Sequence, residues 1–194
     1  MEIKDIAGYR QEELTIDAVK VQVQALLFFI PFAVLFGIPY FLLWSGKLTE
    51  ESLSATFSNG FWRLGLLLLA YFGGIIVHEL IHGATWSLFA KSGFRSIRFG
   101  VLWKSLTPYC HCNEPLLMKH YLIGAIMPGI VLGVVPLVYA LISGSLGWLT
   151  FGLFFSMAAG GDFMLIKLIW SQNFNALIQD HPSKIGCVVY KPIK

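Results

Sequence analysis

His78, Glu79 and His82 stand within one five-residue stretch of an otherwise apolar run. On a helix, positions four apart share a face, so both imidazoles can hold one divalent cation. Glu79 projects beside them, where its carboxylate can take a proton from an activated water. The spacing His-Glu-x-x-His therefore points to metal-assisted hydrolysis, with zinc as the metal. Three polar side chains in a lipid-length apolar stretch are costly without a partner, and a shared cation is one.

A catalytic zinc takes three protein ligands and keeps one position open. The third ligand has few candidates. Asp162 and Glu79 are the only acids within the last three long apolar segments. Asp162 follows Ala158-Ala159-Gly160-Gly161, small residues that let one helix approach another closely. Counted at about 1.5 Å per residue, His78 and Asp162 fall at similar depths in their segments. The rivals lie in the loop between segments: Cys110, His111, Cys112, Glu114 and His120. In a strand, Cys110 and Cys112 share one face and His111 points the other way. Free cysteine is most often a small buried hydrophobe. His111 and His120 read as hydrogen-bonding residues, or as groups that stabilise a developing oxyanion.

The elements that must position these residues are membrane helices. Of 194 residues, 56% are hydrophobic and only 13% charged, with a mean hydropathy of +0.69. Ordinary soluble domains carry about twice that charge. Spanning a bilayer takes about 20 apolar residues, and four segments qualify: about 23–44, 61–90, 121–142 and 148–170. The expected fold is mostly α, a single membrane-embedded domain over 1–194 with four transmembrane helices. The first apolar run is too long for a signal-peptide core and lacks a cleavage site, so the N-terminus is expected to be retained. Trp44, Trp62 and Trp148 fall at one interface and Trp170 at the other.

Loop charges give the orientation. The N-terminal stretch has Lys4, Arg10 and Lys20. The second loop has Lys91, Arg95, Arg98, Lys104 and Lys119, and the tail has Lys184, Lys191 and Lys194. The two remaining loops are poor in cations. The positive-inside rule puts both termini and the second loop in the cytoplasm. The small net charge of +3 resides beside membrane segments, so it reports topology and gives no support to nucleic-acid binding. The three cysteines form no Cys-x-x-Cys pair, and an odd count is no disulfide framework.

The second loop carries structure of its own. Ile97, Phe99, Val101 and Trp103 alternate with Arg98, Gly100, Leu102 and Lys104, a strand period. After Lys104-Ser105-Leu106, the run Thr107 to Cys112 can pair back, giving a cytoplasmic hairpin over about 97–112 with Pro108 at an edge. Gly186 to Tyr190 reads as a further short strand after a turn at Asp180-His181-Pro182-Ser183. Pro31 and Pro39, and Pro128 and Pro136, stand eight apart in the first and third segments, a spacing that membrane helices tolerate.

Val77-His78-Glu79-Leu80-Ile81-His82-Gly83, then Met127-Pro128-Gly129-Ile130, then Gly160-Gly161-Asp162 resemble the zincin-type membrane peptidases of bacteria. That family is similar in plan to site-2-type intramembrane metalloproteases. The resemblance runs from about Gly73 to Lys194, and its His-Glu-x-x-His element is the specific part. It implies zinc on His78, His82 and Asp162, with Glu79 as catalytic base. It also implies a substrate presented as a strand added to the hairpin.

The expectation is a zinc metallopeptidase of the bacterial cytoplasmic membrane, cleaving a membrane protein or membrane-proximal peptide. A transmembrane helix must unwind to be cut, and strand addition would hold it extended. Two other classes remain. One is a non-catalytic metal-binding scaffold. The other is a metal or proton transporter, which should carry more polar residues in the outer halves of its helices.

Overall fold

The computed structural model describes residues 6–48, 61–103 and 107–193. The order of elements is strand, helical span, helical span, hairpin, two further spans and two closing strands. Four helices are long and apolar enough to cross a membrane: Val23–Lys47, Gly65–Ser87, Met118–Ser143 and Leu146–Ile169. The chain is mostly helical, with four helices suited to crossing a membrane and small antiparallel sheets at one end.

The helix Phe61–Ser87, which contains the second span, stops three residues short of the expected Ala90. Leu88, Phe89 and Ala90 form turns, with the Phe89 and Ala90 amides closing onto the Trp86 carbonyl. The first and third spans each change register between their two prolines. A π-helical turn covers Ala33–Gly37 in the first and Gly129–Val134 in the third. Proline lacks the amide hydrogen of a regular α-turn, and a wider turn absorbs the fault.

Packing is uneven. Only 6% of the first span is buried, against 44% of the third. Leu26, Leu27, Ile30 and Leu35 face outward from the first span, which suits acyl chains rather than water. Its far end is held by Trp44, whose indole donates to the Leu141 carbonyl at 3.0 Å, and by Tyr40, whose hydroxyl donates to the Gly144 carbonyl at 2.9 Å. Gly144 ends the third span with φ of +69°, and a Cβ there would strike the Trp44 ring.

The strands form two sheets. β1 (Tyr9–Thr15), β6 (Gly186–Pro192), β5 (Leu177–Asp180) and β4 (Leu116–Leu117) lie in the order β1-β6-β5-β4, all pairs antiparallel. β2 (Ile97–Leu102) and β3 (Thr107–Cys112) form the expected hairpin, with Phe99 opposite Cys110 and Gly100 opposite Tyr109. The turn expected at Lys104-Ser105-Leu106, and the cations Lys4, Lys104 and Lys194, lie outside the described residues. The strand expected near 186–190 is an inner strand, between β1 and β5, of a larger sheet that also recruits Tyr9–Thr15. Buried Val188, Val189, Tyr190 and Ile178 make its centre.

Candidate metal centre

His78 and His82 occupy adjacent turns of the second span, with ring centroids 4.9 Å apart at 75°. Both are buried. Asp162 enters from the fourth span. That span is interrupted at Ala159, so Asp162 lies in the first turn of a fresh helix, Gly160–Ile169. The small residues make this approach possible. A Cβ on Gly160 would run into the Ala25 backbone of the first span, and Ala159 packs against Gly129 of the third.

The Asp162 carboxylate straddles both imidazoles. Its Oδ2 is 3.1 Å from His78 Nε2 and its Oδ1 is 3.2 Å from His82 Nε2. One ligand atom from each of the three residues lies within 4.8 Å of the others, and they are the one such group among the described residues.

The tautomer of His82 is set by its surroundings. Its Nδ1 is 2.8 Å from the Gly124 carbonyl oxygen, which can only accept. Nδ1 therefore carries the hydrogen and donates it, and Nε2 turns a lone pair toward Asp162. A lone pair facing a carboxylate oxygen is repulsive until something positive comes between them. A proton satisfies one such pair; a divalent cation satisfies all three groups at once. Two imidazoles and one carboxylate form a donor set that suits zinc.

Glu79 stands next to this group, half-buried, with His78, His82 and Asp162 as its nearest charged neighbours. The Cys110 amide faces its carboxylate. The hairpin register explains why that amide is available. Asn113 donates to the Ser96 carbonyl at 2.8 Å, which sets the phase in which Tyr109 and His111 bond to β2. Cys110 and Cys112 then turn their amides to the outer edge of β3. Cys110 meets Glu79 there, and Cys112 donates to Asp180 Oδ2 at 2.7 Å. The hairpin comes this close because residue 83 is glycine. A Cβ on Gly83 would lie 2.6 Å from the Phe99 ring and 2.9 Å from Ile97.

The rival ligands are engaged elsewhere. His111 lies against Tyr109 at 4.5 Å, and His120 stacks on Phe89 at 4.2 Å. Glu114 accepts from the Ser92 amide at 3.3 Å. The Cys112 thiol points to the Glu114 carbonyl at 3.4 Å. Burial pushes the thiols of Cys110 and Cys112 up, and that of Cys187 up to about 12, so all three stay protonated near neutrality.

Sequence reasoning missed a supporting chain behind His82. Trp86 stacks on His82 at 5.0 Å and on Tyr121 at 5.2 Å, and its indole donates to the Tyr121 carbonyl at 3.0 Å. The Tyr121 hydroxyl donates to Asp180 Oδ1 at 2.5 Å. Asp180, read from sequence as a turn residue, is a buried carboxylate joining the third span, the hairpin and the sheet. Burial pushes its pKa up, while nearby His111 and the Tyr121 and Cys112 bonds pull it down. Trp86 at four residues after His82 was the visible hint, since it had to share the helix face of the motif.

No curated protein and no solved structure matches the chain. A family model does, over residues 71–177, which take in the His78-to-His82 motif, the hairpin, the third span and Asp162. That is more than half of the sequence, and the chain belongs to the family described as putative zincin peptidase.

Proposed function

We propose that this protein is a membrane-embedded zinc peptidase that cleaves membrane or membrane-proximal polypeptides. The observation that carries the reading is the convergence of His78, His82 and Asp162 from two spans, with Glu79 beside them. His78, His82 and Asp162 would hold the metal, which when bound supplies Lewis acidity to water and to the scissile carbonyl.

The chain's own residues do the rest. Glu79 is the general base that takes the water's proton and later returns it to the leaving amine. The Cys110 amide orients the Glu79 carboxylate. Gly124 fixes the His82 tautomer so that Nε2 faces Asp162. The bundle and the hairpin around them exclude bulk water, so the charges act in a medium that screens them weakly.

The substrate would lie extended along the outer edge of β3. Pro108 has no amide, Cys112 has given its own to Asp180, and Cys110 faces Glu79. The carbonyls of Pro108 and Cys110 are then the groups of that edge suited to receive a substrate's amides. With the loop charges on the sheet end, this end faces the cytoplasm, together with both termini.

The test is zinc analysis and peptide cleavage on purified variants. His78→Ala and His82→Ala should lose the metal. Glu79→Gln should keep a near-stoichiometric zinc content and lose cleavage by at least about a hundred-fold. Loss of zinc from Glu79→Gln equal to that of the histidine variants would make Glu79 a ligand and reject this mechanism.

A further inference from the structure

We propose that the cleft beside the hairpin base binds the phosphate headgroup of an anionic phospholipid. The cleft has a volume of about 540 Å³ and is lined by Lys91, Ser92, Arg95, Arg98 and Glu114, among others. None of its lining residues belongs to the metal centre, and no step of the peptidase reading uses it.

Three cations meet one acid there. Among the described residues, none of Lys91, Arg95 and Arg98 is in an ion pair. Glu114 accepts from the Ser92 amide at 3.3 Å, which shapes the cleft floor. Arg98 is held in place through its Nη1, which donates to the carbonyls of Arg95 and Ile97 at 3.2 Å each. A guanidinium fixed in this way keeps its remaining donors in a planar fork, the shape that matches phosphate oxygens. Three cations beside a single acid leave an excess of like charge, and a phosphate removes its repulsion.

The apolar neighbours decide the source of the phosphate. The cleft begins just beyond Ser87, where the second span ends. Leu88 is 80% exposed and Phe94 56% exposed, each three residues from Lys91 along the chain. Large exposed apolar side chains beside a basic cleft at the end of a membrane span suit acyl chains next to a headgroup. The ligand is therefore a lipid phosphate, with its chains along Leu88 and Phe94.

The experiment uses the full-length protein extracted in neutral detergent with added phosphatidylglycerol or phosphatidylcholine. Bound lipid is counted by native mass spectrometry. Wild type should retain about one phosphatidylglycerol per chain in preference to phosphatidylcholine. Arg95→Gln with Arg98→Gln should weaken that retention about ten-fold. Lys91→Gln, in a residue with no described hydrogen bond to the hairpin, should shift it the same way by less. Lys119→Gln with Lys184→Gln removes the same charge elsewhere at this end and should leave retention unchanged. Equal loss in the two double variants would mean a diffuse charge effect and overturn the site. No loss in any cleft variant would overturn it as well. If inorganic phosphate binds the lipid-free protein as tightly as phosphatidylglycerol does, the cleft is a free-anion site and the lipid assignment is wrong.

Discussion

His82 and Gly124 are joined by a 2.8 Å hydrogen bond from the imidazole Nδ1 to a main-chain carbonyl of the third span. That bond turns Nε2 toward Asp162, and it makes the second and third spans one unit at the site. No side-chain substitution can remove the carbonyl, but its position depends on residue 124 being glycine. A Cβ there would strike the Trp86 indole, which cannot yield because it is stacked between His82 and Tyr121. Gly124→Ala should lower zinc affinity by about ten- to a hundred-fold, the usual effect of losing an orienting partner. Competition with a metal chelator measures it. An unchanged affinity would mean that His82 is oriented by something else.

Asp162→Asn keeps the shape of the side chain and removes its charge. Zinc affinity should fall, because a neutral amide is a weaker ligand than a carboxylate. Glu79→Gln is the comparison: it should leave affinity near wild type. Equal affinities for wild type and Asp162→Asn would show that Asp162 is not in the coordination sphere.

Tyr121→Phe removes one of two hydrogen bonds to the buried Asp180 carboxylate and leaves the Cys112 amide as the other. Stability should fall by about 1–3 kcal/mol. Thermal unfolding in detergent, corrected for lipid content, reads this. Asp180→Asn with Tyr121→Phe should cost less than the sum of the single changes, since the two act on one bond.

Gly160→Val should separate the first and fourth spans, because a side chain at 160 meets the Ala25 backbone rather than a movable side chain. Asp162 lies two residues on and should move with it. We expect loss of zinc with the helix content retained by circular dichroism. Zinc retained at wild-type affinity would show that Asp162 reaches the metal without this close packing.

The β1–β6 pairing should loosen in acid. Glu13 accepts from Lys184 at 3.2 Å and from His181 at 3.1 Å, and these partners hold its pKa below the usual carboxylate range. A depressed folded-state pKa means that the stabilisation is complete above the unfolded value and is lost as pH falls through the folded one. Hydrogen exchange of the Tyr9–Thr15 amides, normalised to free-peptide rates, should rise over that acid window. Glu13→Gln should flatten the dependence.

The motif was legible because its geometry is local. A helix puts His78 and His82 together whatever surrounds them. Asp162 could be found by elimination, as an acid with no other reason to stand in an apolar helix. The partners of these residues could not. Gly124 contributes a carbonyl, which every residue has, so nothing in its type marks it. Asp180 sits in a stretch of turn-forming residues, and its burial comes from Tyr121 and Cys112, both distant in sequence. β1 was missed for a related reason. Arg10, Glu12 and Glu13 carry no strand signal of their own, and backbone pairing with the sequence-distant Gly186–Pro192 makes them strand residues. The end of the second span was placed at Ala90 because the apolar run continues, whereas the Trp86 carbonyl closes the turn earlier.

β1 precedes all four spans in the chain, and β6, its partner from Gly186 to Pro192, follows them. A nascent chain must therefore thread four spans into the bilayer before its first strand finds a neighbour. The same delay applies to the histidines: they enter the membrane with the second span, and Asp162 arrives only with the fourth. Until then the growing chain carries two imidazoles without their carboxylate, and the group His78, His82 and Asp162 cannot form. The candidate metal centre is therefore completed late, only when the fourth span packs against the second.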